Sequence, residues 1–349
     1  CTTIDTLPRD AFRDTDSYDT CSYDTMAGDS ARNHPLKRAI AHIASTIQTD
    51  CNVIEIGPGM HAPLSRMAPS VITANNIGVN LIMVETLQAA GGMAIQGALR
   101  QTKQYHGKVI AGFSTEPHVS AEIVRSITPG PRLLIAEVIG NFFSSEAISH
   151  IFTSAYAQGI LNPDTTTVPY EGATVWRPSD YTQTPLRKGT PLIWARKIIY
   201  VSPTSHSSSL PPRHFLSREW GLMEFYNFHT YPASVGENTP PGITSKVTIT
   251  NNGELNSITF AIWARLGRSP DRLGKAPDAL VTDTPDLLAR VGTTTGWAHF
   301  NSAHGYEHSA RNWLTPIVIL DPAAHTLAGD ELVVHSTVEA ACTNPSYAY

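Results

Sequence analysis

Two glutamates, Glu137 and Glu146, flank a short segment that follows a strongly apolar run, LLIA at 133–136. Glu137 comes where that predicted strand ends, at the edge of a parallel sheet where ligands bind, and Glu146 follows two serines suited to cap the next helix. The intervening segment is long enough to fold back and bring both carboxylates to one place. Two such carboxylates repel each other unless a cation lies between them, and a planar guanidinium donates bidentate hydrogen bonds to carboxylates on two of its edges. The alternative is an ordinary helix N-terminus with an acid in its first turn.

A second motif is VIEIGPGMHA at 53–62, an apolar strand that runs into G-x-G-x-x-A. Gly57 and Gly59 let the backbone turn tightly and approach a ligand closely, because they carry no Cβ. The next predicted strand ends in Glu85, whose carboxylate is suited to accept hydrogen bonds from both hydroxyls of a ribose. The candidate cofactor-binding residues here are Glu55, Gly57, Gly59 and Glu85. The alternative is a tight strand–helix turn with a solvated glutamate.

The elements that must position these residues alternate along the chain. Apolar runs at 53–56, 80–85, 108–113 and 132–140 are separated by segments with helical character, such as 86–101 and 144–159. This alternation predicts an α/β fold with a doubly wound parallel sheet. Helical spacing through Leu36, Ile40 and Ile43 predicts a helix before it.

After Pro163 the sequence becomes rich in Thr, Ser, Pro and β-branched residues, which predicts a mostly β region. Residues 247–266 are typical of two strands about a turn at Asn251–Gly253, and the segments NWLTPIVILD and DELVVHSTVEA predict two more. The expected domains are an N-terminal helical segment at 1–47, a Rossmann-like domain at 48–165 and a β domain at 166–349.

Composition excludes several classes of function. The 349 residues are 41% hydrophobic and 16% charged with a net charge of −5, so neither a disordered chain nor a nucleic-acid or anionic-membrane binder is expected. No run of 18 apolar residues is present, and the first residues are acidic where a signal peptide would be basic and apolar. The four cysteines are far apart without a CxxC pair, which favours reduced thiols in a cytoplasmic protein.

Competing chemistry has weaker support. His299, His304 and His308 cluster, but their spacing fits no zinc pattern and no paired cysteines accompany them, so we expect no metal and place them at the substrate loop or its surface. The sequence lacks G-x-S-x-G and a Walker loop, which disfavours a serine hydrolase and phosphoryl transfer.

Taken together, these motifs resemble the protein arginine methyltransferases, a branch of the class I S-adenosylmethionine-dependent enzymes. Met26, Asp29 and Arg32 match the family's M-x-x-D-x-x-R helix. The glycine loop and the ribose acid also match, although His61 stands where the family usually has a third glycine. The family's double-E loop has two glutamates nine positions apart with a glycine three after the first, as in Glu137, Gly140 and Glu146.

The departures from the family lie on the acceptor side. Its Thr-His-Trp loop is similar only at Trp313, because Arg311 and Asn312 precede that residue here. Ile139 and Asn141 replace the commoner Met and aromatic residues in the double-E loop. Because the acceptor side differs while the cofactor side matches, we interpret the acceptor as free L-arginine or a small arginine-like metabolite, as for a bacterial member in specialised metabolism. The alternatives are an arginine in a peptide, and an inactive family member that serves as a binding module.

The resemblance implies the following roles. S-adenosylmethionine is the methyl donor and no metal is needed. Glu137 and Glu146 would hold and polarise the guanidinium, with Glu146 the better candidate to take the released proton. The remaining cofactor contacts would be Arg32 with the methionine carboxylate, Phe113 and Ser114 with the adenine, and Met26 over the methyl group. Tyr23, Arg311, Asn312 and Trp313 would contact the acceptor. The charges of a free amino acid, which need partners of opposite charge when buried, make Arg311 the candidate clamp of its carboxylate and Glu307 or a histidine the partner of its ammonium.

The family resemblance also implies an assembly. Its members form head-to-tail dimers through an arm inserted early in a β-barrel-like domain. We expect a homodimer here, with the arm within about 178–222.

Overall fold

The computed structural model describes twelve parts of the chain, single residues included: 20–44, 46–74, 76–86, 97, 100, 107–140, 142–180, 198–201, 215–228, 243–266, 315–339 and 346–348. Several sequence predictions fall outside these parts. They are Asn141, Glu307, the Arg311–Trp313 segment, the three clustered histidines and most of the expected dimerisation arm.

Two helices open the described chain, α1 at Thr20–Gly28 and α2 at Ser30–Ala44. Asn33 of α2 joins them, because its side-chain Nδ2 donates to the carbonyls of Met26 at 3.1 Å and Ala27 at 2.9 Å. These carbonyls lie in the last turn of α1, where no intrahelical partner is available. The predicted apolar spacing of α2 is confirmed, since Leu36, Ile40 and Ile43 are all buried.

The predicted parallel sheet is confirmed. Its strands are β1 at Cys51–Ile56, β2 at Val79–Glu85, β3 at Lys108–Ala111, β4 at Arg132–Ala136 and β5 at Thr166–Val168. They pair in the order β3-β2-β1-β4-β5, each with a parallel neighbour. The helices between them are α3 at Pro63–Thr73, α4 at Pro117–Ser126 and α5 at Ile148–Ala157.

The strand order reverses at β1, which is where an open α/β sheet forms its ligand crevice. The central strand is buried along all six residues, in keeping with its continuous apolar run. Cys51, its first residue, is a buried free thiol. Burial and the neighbouring charge of Asp50 raise the pKa of this thiol to about 11.

The predicted β region is also confirmed, and its strands form two antiparallel sheets. One sheet has the order β7-β11-β10-β6-β8 and the other β13-β12-β9. The strands are β6 at Glu171–Ser179, β7 at Ile198–Val201, β8 at Gly221–Asn227, β9 at Ile243–Thr248, β10 at Gly253–Arg265, β11 at Thr315–Thr326, β12 at Glu331–Glu339 and β13 at Ser346–Ala348.

Three details differ from the sequence predictions. The strands on either side of Asn251–Gly253 exist but do not form a hairpin, because β9 pairs with β12 while β10 pairs with β6 and β11. Among the described strands the two sheets do not close into one barrel. The stretch proposed for the arm contains β7 and the start of β8, both of them strands of the five-stranded sheet.

An aromatic cluster joins the parallel sheet domain to the five-stranded antiparallel sheet. The ring of Phe152 in α5 stacks on Phe228 with centroids 3.9 Å apart, and Phe142 meets Phe260 edge-on at 5.3 Å. The Tyr156 hydroxyl donates to the Phe228 carbonyl at 2.9 Å. Each fully buried ring contributes on the order of 1.5–3 kcal/mol, so the two regions are held together by a substantial apolar contact.

Candidate active site

The glycine loop, residues 57–62, turns sharply out of β1. Gly57 and Gly59 have φ values of +71° and +67°, which only glycine adopts without strain. Both also pack closely, since a Cβ on Gly57 would lie 3.0 Å from Val138 Cγ1 and one on Gly59 would lie 3.0 Å from a ring carbon of Tyr23. The loop therefore lies between helix α1 and the segment that follows β4.

Glu85, the last residue of β2, faces this loop. One carboxylate oxygen accepts the Gly59 N–H at 2.9 Å and the other accepts the Thr86 N–H at 2.8 Å. The side chain is buried, and burial raises the pKa of Glu85 although both backbone hydrogen bonds oppose the rise. A carboxylate has about four acceptor positions, so this one has capacity for ligand hydroxyls as well.

Glu55 has a different environment from Glu85. It is buried within β1, and its carboxylate accepts a short hydrogen bond from the Ser65 hydroxyl of α3. This contact ties the central strand to the helix that follows the glycine loop.

Tyr23 of α1 is influenced by candidate residues of both loops. Burial raises its pKa to about 12, and the negative charges of Glu85 and Glu146 add to the rise. Its ring covers Gly59, as the close approach above shows. Tyr23 thus packs on the glycine loop and is also subject to the charge of the second glutamate of the double-E loop.

His61, which stands where the family has a glycine, also contacts α1. Its Nε2 lies 2.6 Å from an Asp24 carboxylate oxygen, on the exposed side of the helix. The His61 carbonyl accepts a hydrogen bond from the Arg66 guanidinium at 2.8 Å. Helix α1 is therefore bound to the glycine loop by packing at Tyr23 and by a polar pair at Asp24.

Phe113 and Ser114 follow β3 at the same edge of the sheet. Phe113 is 43% exposed, unusual for a large apolar side chain. Ser114 is buried, and its carbonyl accepts the Ser120 hydroxyl at 2.6 Å. The exposed ring at the sheet edge is suited to stack on a planar ligand.

The double-E loop, from Glu137 to Glu146, folds back on itself. A Cβ on Gly140 would collide with the Ser145 hydroxyl and lie 3.3 Å from Glu146 Cγ, so a side chain there would have to displace that hydroxyl. Both glutamates are partly exposed. Met26 of α1 is partly exposed as well.

The helix after the loop begins later than the serines suggest. Ala147 occupies the N-cap of α5 with a left-handed φ of 63°, so the prediction that Ser144 or Ser145 caps this helix is wrong. Glu146 precedes the cap and is not in the first helical turn. A non-glycine residue in this conformation is uncommon and marks a constrained turn.

One functional candidate was not identified from the sequence. Glu224 in β8 is fully buried and hydrogen-bonded to Ser144 in the double-E loop. The signal for it was a lone carboxylate within the apolar strand GLMEFYN, at the alternating position shared with Leu222 and Tyr226. Burial raises the pKa of Glu224, while hydrogen bonds from Ser144, Thr174 and Tyr226 oppose the rise.

The remaining predicted residues are described by their backbone alone or lie outside the described ranges. Arg32 lies in α2, next to the α1–α2 junction, and only its backbone is described. Arg311, Asn312 and Trp313 are outside the described ranges. Across those ranges, no cluster of three or more His, Cys, Asp or Glu is arranged to hold a metal. None of the described helices is long and apolar enough to cross a membrane.

Comparison with known proteins places the fold. A scan against protein-family models finds no match, and a search of the curated proteins finds none either. Among solved structures, a chain of the Trypanosoma brucei PRMT1 enzyme–prozyme heterotetrameric complex with AdoHcy superposes with a TM-score of 0.53 at 14% sequence identity. The match covers 88% of this chain and 86% of that one. The two chains therefore share a fold in which a Rossmann-like parallel sheet is followed by antiparallel sheets.

Proposed function

We propose that the protein is an S-adenosylmethionine-dependent methyltransferase that acts on the guanidino group of arginine. The observation that carries this proposal is that Tyr23 covers Gly59, whose N–H is bound by the buried acid Glu85, while the charge of the double-E glutamate Glu146 also acts on Tyr23. A candidate ribose ligand and a candidate guanidinium ligand thus both act on one side chain. The fold shared with the PRMT1 complex, which contains AdoHcy, supports the same assignment.

The cofactor side fits the donor molecule. The two positive-φ glycines let the loop turn tightly at the end of β1, and Glu85 retains acceptor capacity beside it. In the proposal Glu85 binds the ribose hydroxyls, Phe113 and Ser114 contact the adenine, and Arg32 binds the methionine carboxylate. When bound, S-adenosylmethionine supplies an electrophilic methyl group on a sulfonium.

The double-E loop would activate the acceptor. A protonated guanidinium is a poor nucleophile, because its lone pairs are delocalised. Glu137 and Glu146 would draw its positive charge toward two nitrogens and leave electron density on the third, which attacks the methyl carbon in line as the C–S bond breaks. The released proton would pass to Glu146 directly or through water. Positioning and electrostatics then account for most of the catalysis.

Free L-arginine, or a small metabolite like it, is the acceptor that we propose. The support is the pattern of departures in the sequence, in which Arg311 and Asn312 replace the Thr and His of the family loop. A free amino acid carries an ammonium and a carboxylate that need partners of opposite charge when buried. Arg311 is the proposed partner of the carboxylate.

A direct assay tests the proposal. Methyl transfer from S-adenosylmethionine is measured with free L-arginine and with an Arg-Gly-rich peptide side by side, using Glu137→Gln as the inactive control. Turnover of free arginine supports the full proposal, and turnover of the peptide alone overturns only the acceptor. Transfer to neither, together with no thermal shift by AdoHcy, would overturn the enzyme assignment and favour a binding module.

The assembly is a further part of the proposal. We propose a homodimer whose contact includes the segment within 178–222. The solved structure with the same fold is a heterotetrameric complex, which supports an oligomer. Light scattering on the full chain tests this, and a monomer at micromolar concentration would contradict it.

A further inference from the structure

Glu224 binds the double-E loop from a different domain. Its Oε1 accepts the Ser144 backbone N–H at 3.2 Å and its Oε2 accepts the Ser144 hydroxyl at 2.6 Å. The Thr174 hydroxyl donates a short hydrogen bond to Oε1, and the Tyr226 hydroxyl donates to Oε2 at 3.2 Å. Both carboxylate oxygens are thus engaged twice.

Thr174 extends this contact by one residue. Its hydroxyl oxygen accepts the Phe143 N–H at 2.8 Å. Two successive amides of the double-E loop, at Phe143 and Ser144, are therefore bound by paired positions of β6 and β8, where Thr174 lies opposite Glu224. All four residues are buried.

Hydrogen bonds within the following turn bind the backbone on either side of Glu146. The Ser144 carbonyl accepts the Ala147 N–H at 2.9 Å, and the Ser145 N–H donates to the Phe142 carbonyl at 3.0 Å. Ser144 is thus bound through its amide, its hydroxyl and its carbonyl, two residues before Glu146. Gly140 packs against Ser145 and Glu146, so the first half of the loop rests on the same turn.

A carboxylate suits this position because it only accepts hydrogen bonds. The Ser144 N–H can only donate, and the three hydroxyls can all orient as donors toward it. A buried carboxyl group requires such compensation, since without it burial is costly. The aromatic cluster alone would hold the loop against the sheet. Apolar packing is non-directional, so it would not fix the position of Ser144 or the orientation of its amide.

We propose that Glu224 is a positioning residue, which holds Phe143 and Ser144 so that Glu146 and Glu137 lie where the guanidino group must be bound. The proposal rests on the proposed function for its effect on turnover. The mechanical part, immobilisation of the loop by Glu224, stands on the geometry alone. Glu224 acts through the loop and does not itself contact the reacting atoms in this proposal.

The experiment compares Glu224→Ala and Glu224→Gln with the wild-type chain. The alanine variant removes all four hydrogen bonds. Glutamine keeps one acceptor oxygen for the Ser144 N–H, and its NH₂ group can donate to hydroxyls that then act as acceptors. Thr167→Val is the matched control. It removes a buried hydroxyl that has no hydrogen-bond partner among the described residues, and it lies outside the proposed site.

Three measurements are made on each variant: kcat and KM for the arginine acceptor, AdoHcy affinity by calorimetry, and hydrogen–deuterium exchange at the Phe143 and Ser144 amides. We expect Glu224→Ala to lower kcat by about 10²-fold, as for other misplaced catalytic groups, with AdoHcy affinity unchanged and faster exchange at both amides. Glutamine should restore most of the activity, and Thr167→Val should match the wild type.

The outcomes separate the two proposals. Wild-type kcat and wild-type exchange in Glu224→Ala would overturn the positioning role. If the wild-type chain methylates no arginine, the proposed function fails, while the exchange data still decide whether Glu224 holds the loop. If the alanine variant does not fold, Ser144→Ala removes the hydroxyl contact with Glu224 from the loop side, and unchanged exchange at the residue 144 amide in that variant would count against the proposal.

Discussion

The glycine loop and the double-E loop leave adjacent strands of the parallel sheet and end in the same way. Each finishes on an alanine in the left-handed conformation at the N-cap of the next helix, Ala62 before α3 and Ala147 before α5. They differ in what binds their amides. The Gly59 N–H is bound by Glu85, within the same sheet. The Phe143 and Ser144 amides are bound by Thr174 and Glu224, from the antiparallel sheet.

This difference indicates that the two loops of the proposed site depend on different parts of the fold. In the proposal, the glycine loop and the ribose acid of the cofactor half lie within the parallel sheet domain, while the acceptor half depends on the packing of this domain against the antiparallel sheet. Changes in the antiparallel sheet should therefore affect the acceptor and leave the cofactor bound. Single substitutions in the two halves should therefore have separable effects on turnover and on cofactor affinity.

Replacing Glu137 by Gln should lower turnover by about 10²- to 10³-fold, the scale found when one preorganised electrostatic group is lost. The side chain keeps its shape but no longer polarises the guanidinium. Initial rates at saturating acceptor measure the effect, and AdoHcy affinity serves as the internal control. Undiminished turnover would contradict the role given to the double-E loop.

Replacing Glu85 by Ala should have the opposite profile. Loss of charge-assisted hydrogen bonds to ribose hydroxyls should weaken cofactor binding by about 1–3 kcal/mol, with a smaller effect on kcat at saturating cofactor. Calorimetric titration with AdoHcy measures it. An unchanged dissociation constant would mean that Glu85 is not the ribose ligand.

Cofactor affinity should also fall as the pH is lowered. Burial raises the pKa of Glu85, so the free protein takes up a proton there at a higher pH than an ordinary glutamate does. Ligand hydroxyls donate to the ionised form, and binding therefore weakens as the pH falls through the raised pKa, by up to about tenfold per unit. The difference between wild type and Glu85→Gln isolates this group, and parallel pH profiles for the two would refute it.

His61→Ala should weaken cofactor binding only a few-fold. Asp24 is 64% exposed and His61 29%, and such surface pairs contribute about 0–1 kcal/mol. The loss should shrink at high salt, because salt screens exposed charges. Asp24→Asn should reproduce it, and a salt-independent loss in either variant would point to packing instead.

The smallest effects are expected at the two left-handed alanines. Glycine relieves the strain of this conformation, about 1–2 kcal/mol, but loses about 0.5–1 kcal/mol through backbone entropy. Ala62→Gly and Ala147→Gly should each change the free energy of unfolding by less than about 1.5 kcal/mol, toward greater stability, in urea titrations. Destabilisation by either variant would show that its alanine methyl packs favourably.

The geometry of the proposed cofactor half could be predicted from the sequence because its determinants are local. Positive-φ glycines after an apolar strand, and an acid at the end of the next strand, are set by neighbouring residues. Glu85 and Gly59 meet because β1 and β2 pair in parallel, and their apolar runs predicted that arrangement. The left-handed Ala147 could not be predicted, because alanine carries no signal for that conformation.

The acceptor half depends on pairing between distant strands, which periodicity does not specify. The residues 247–266 have the pattern of a hairpin, yet β9 pairs with β12 and β10 with β6 and β11. Turn propensity at Asn251–Gly253 is a weak local preference, and the packing of two sheets overrides it. Glu224 was missed for the same reason, since its partner Ser144 is 80 residues away.

Cys51 has a practical consequence for measuring how the protein opens. Its thiol lies at the start of the central strand with 2% of its surface exposed, and its pKa of about 11 leaves almost no thiolate at neutral pH. An alkylating reagent can therefore modify it only when β1 separates from its neighbours. The rate of carbamidomethylation at Cys51, followed by peptide mass spectrometry, would report the free energy of opening at the start of the central strand, without any assay of catalysis.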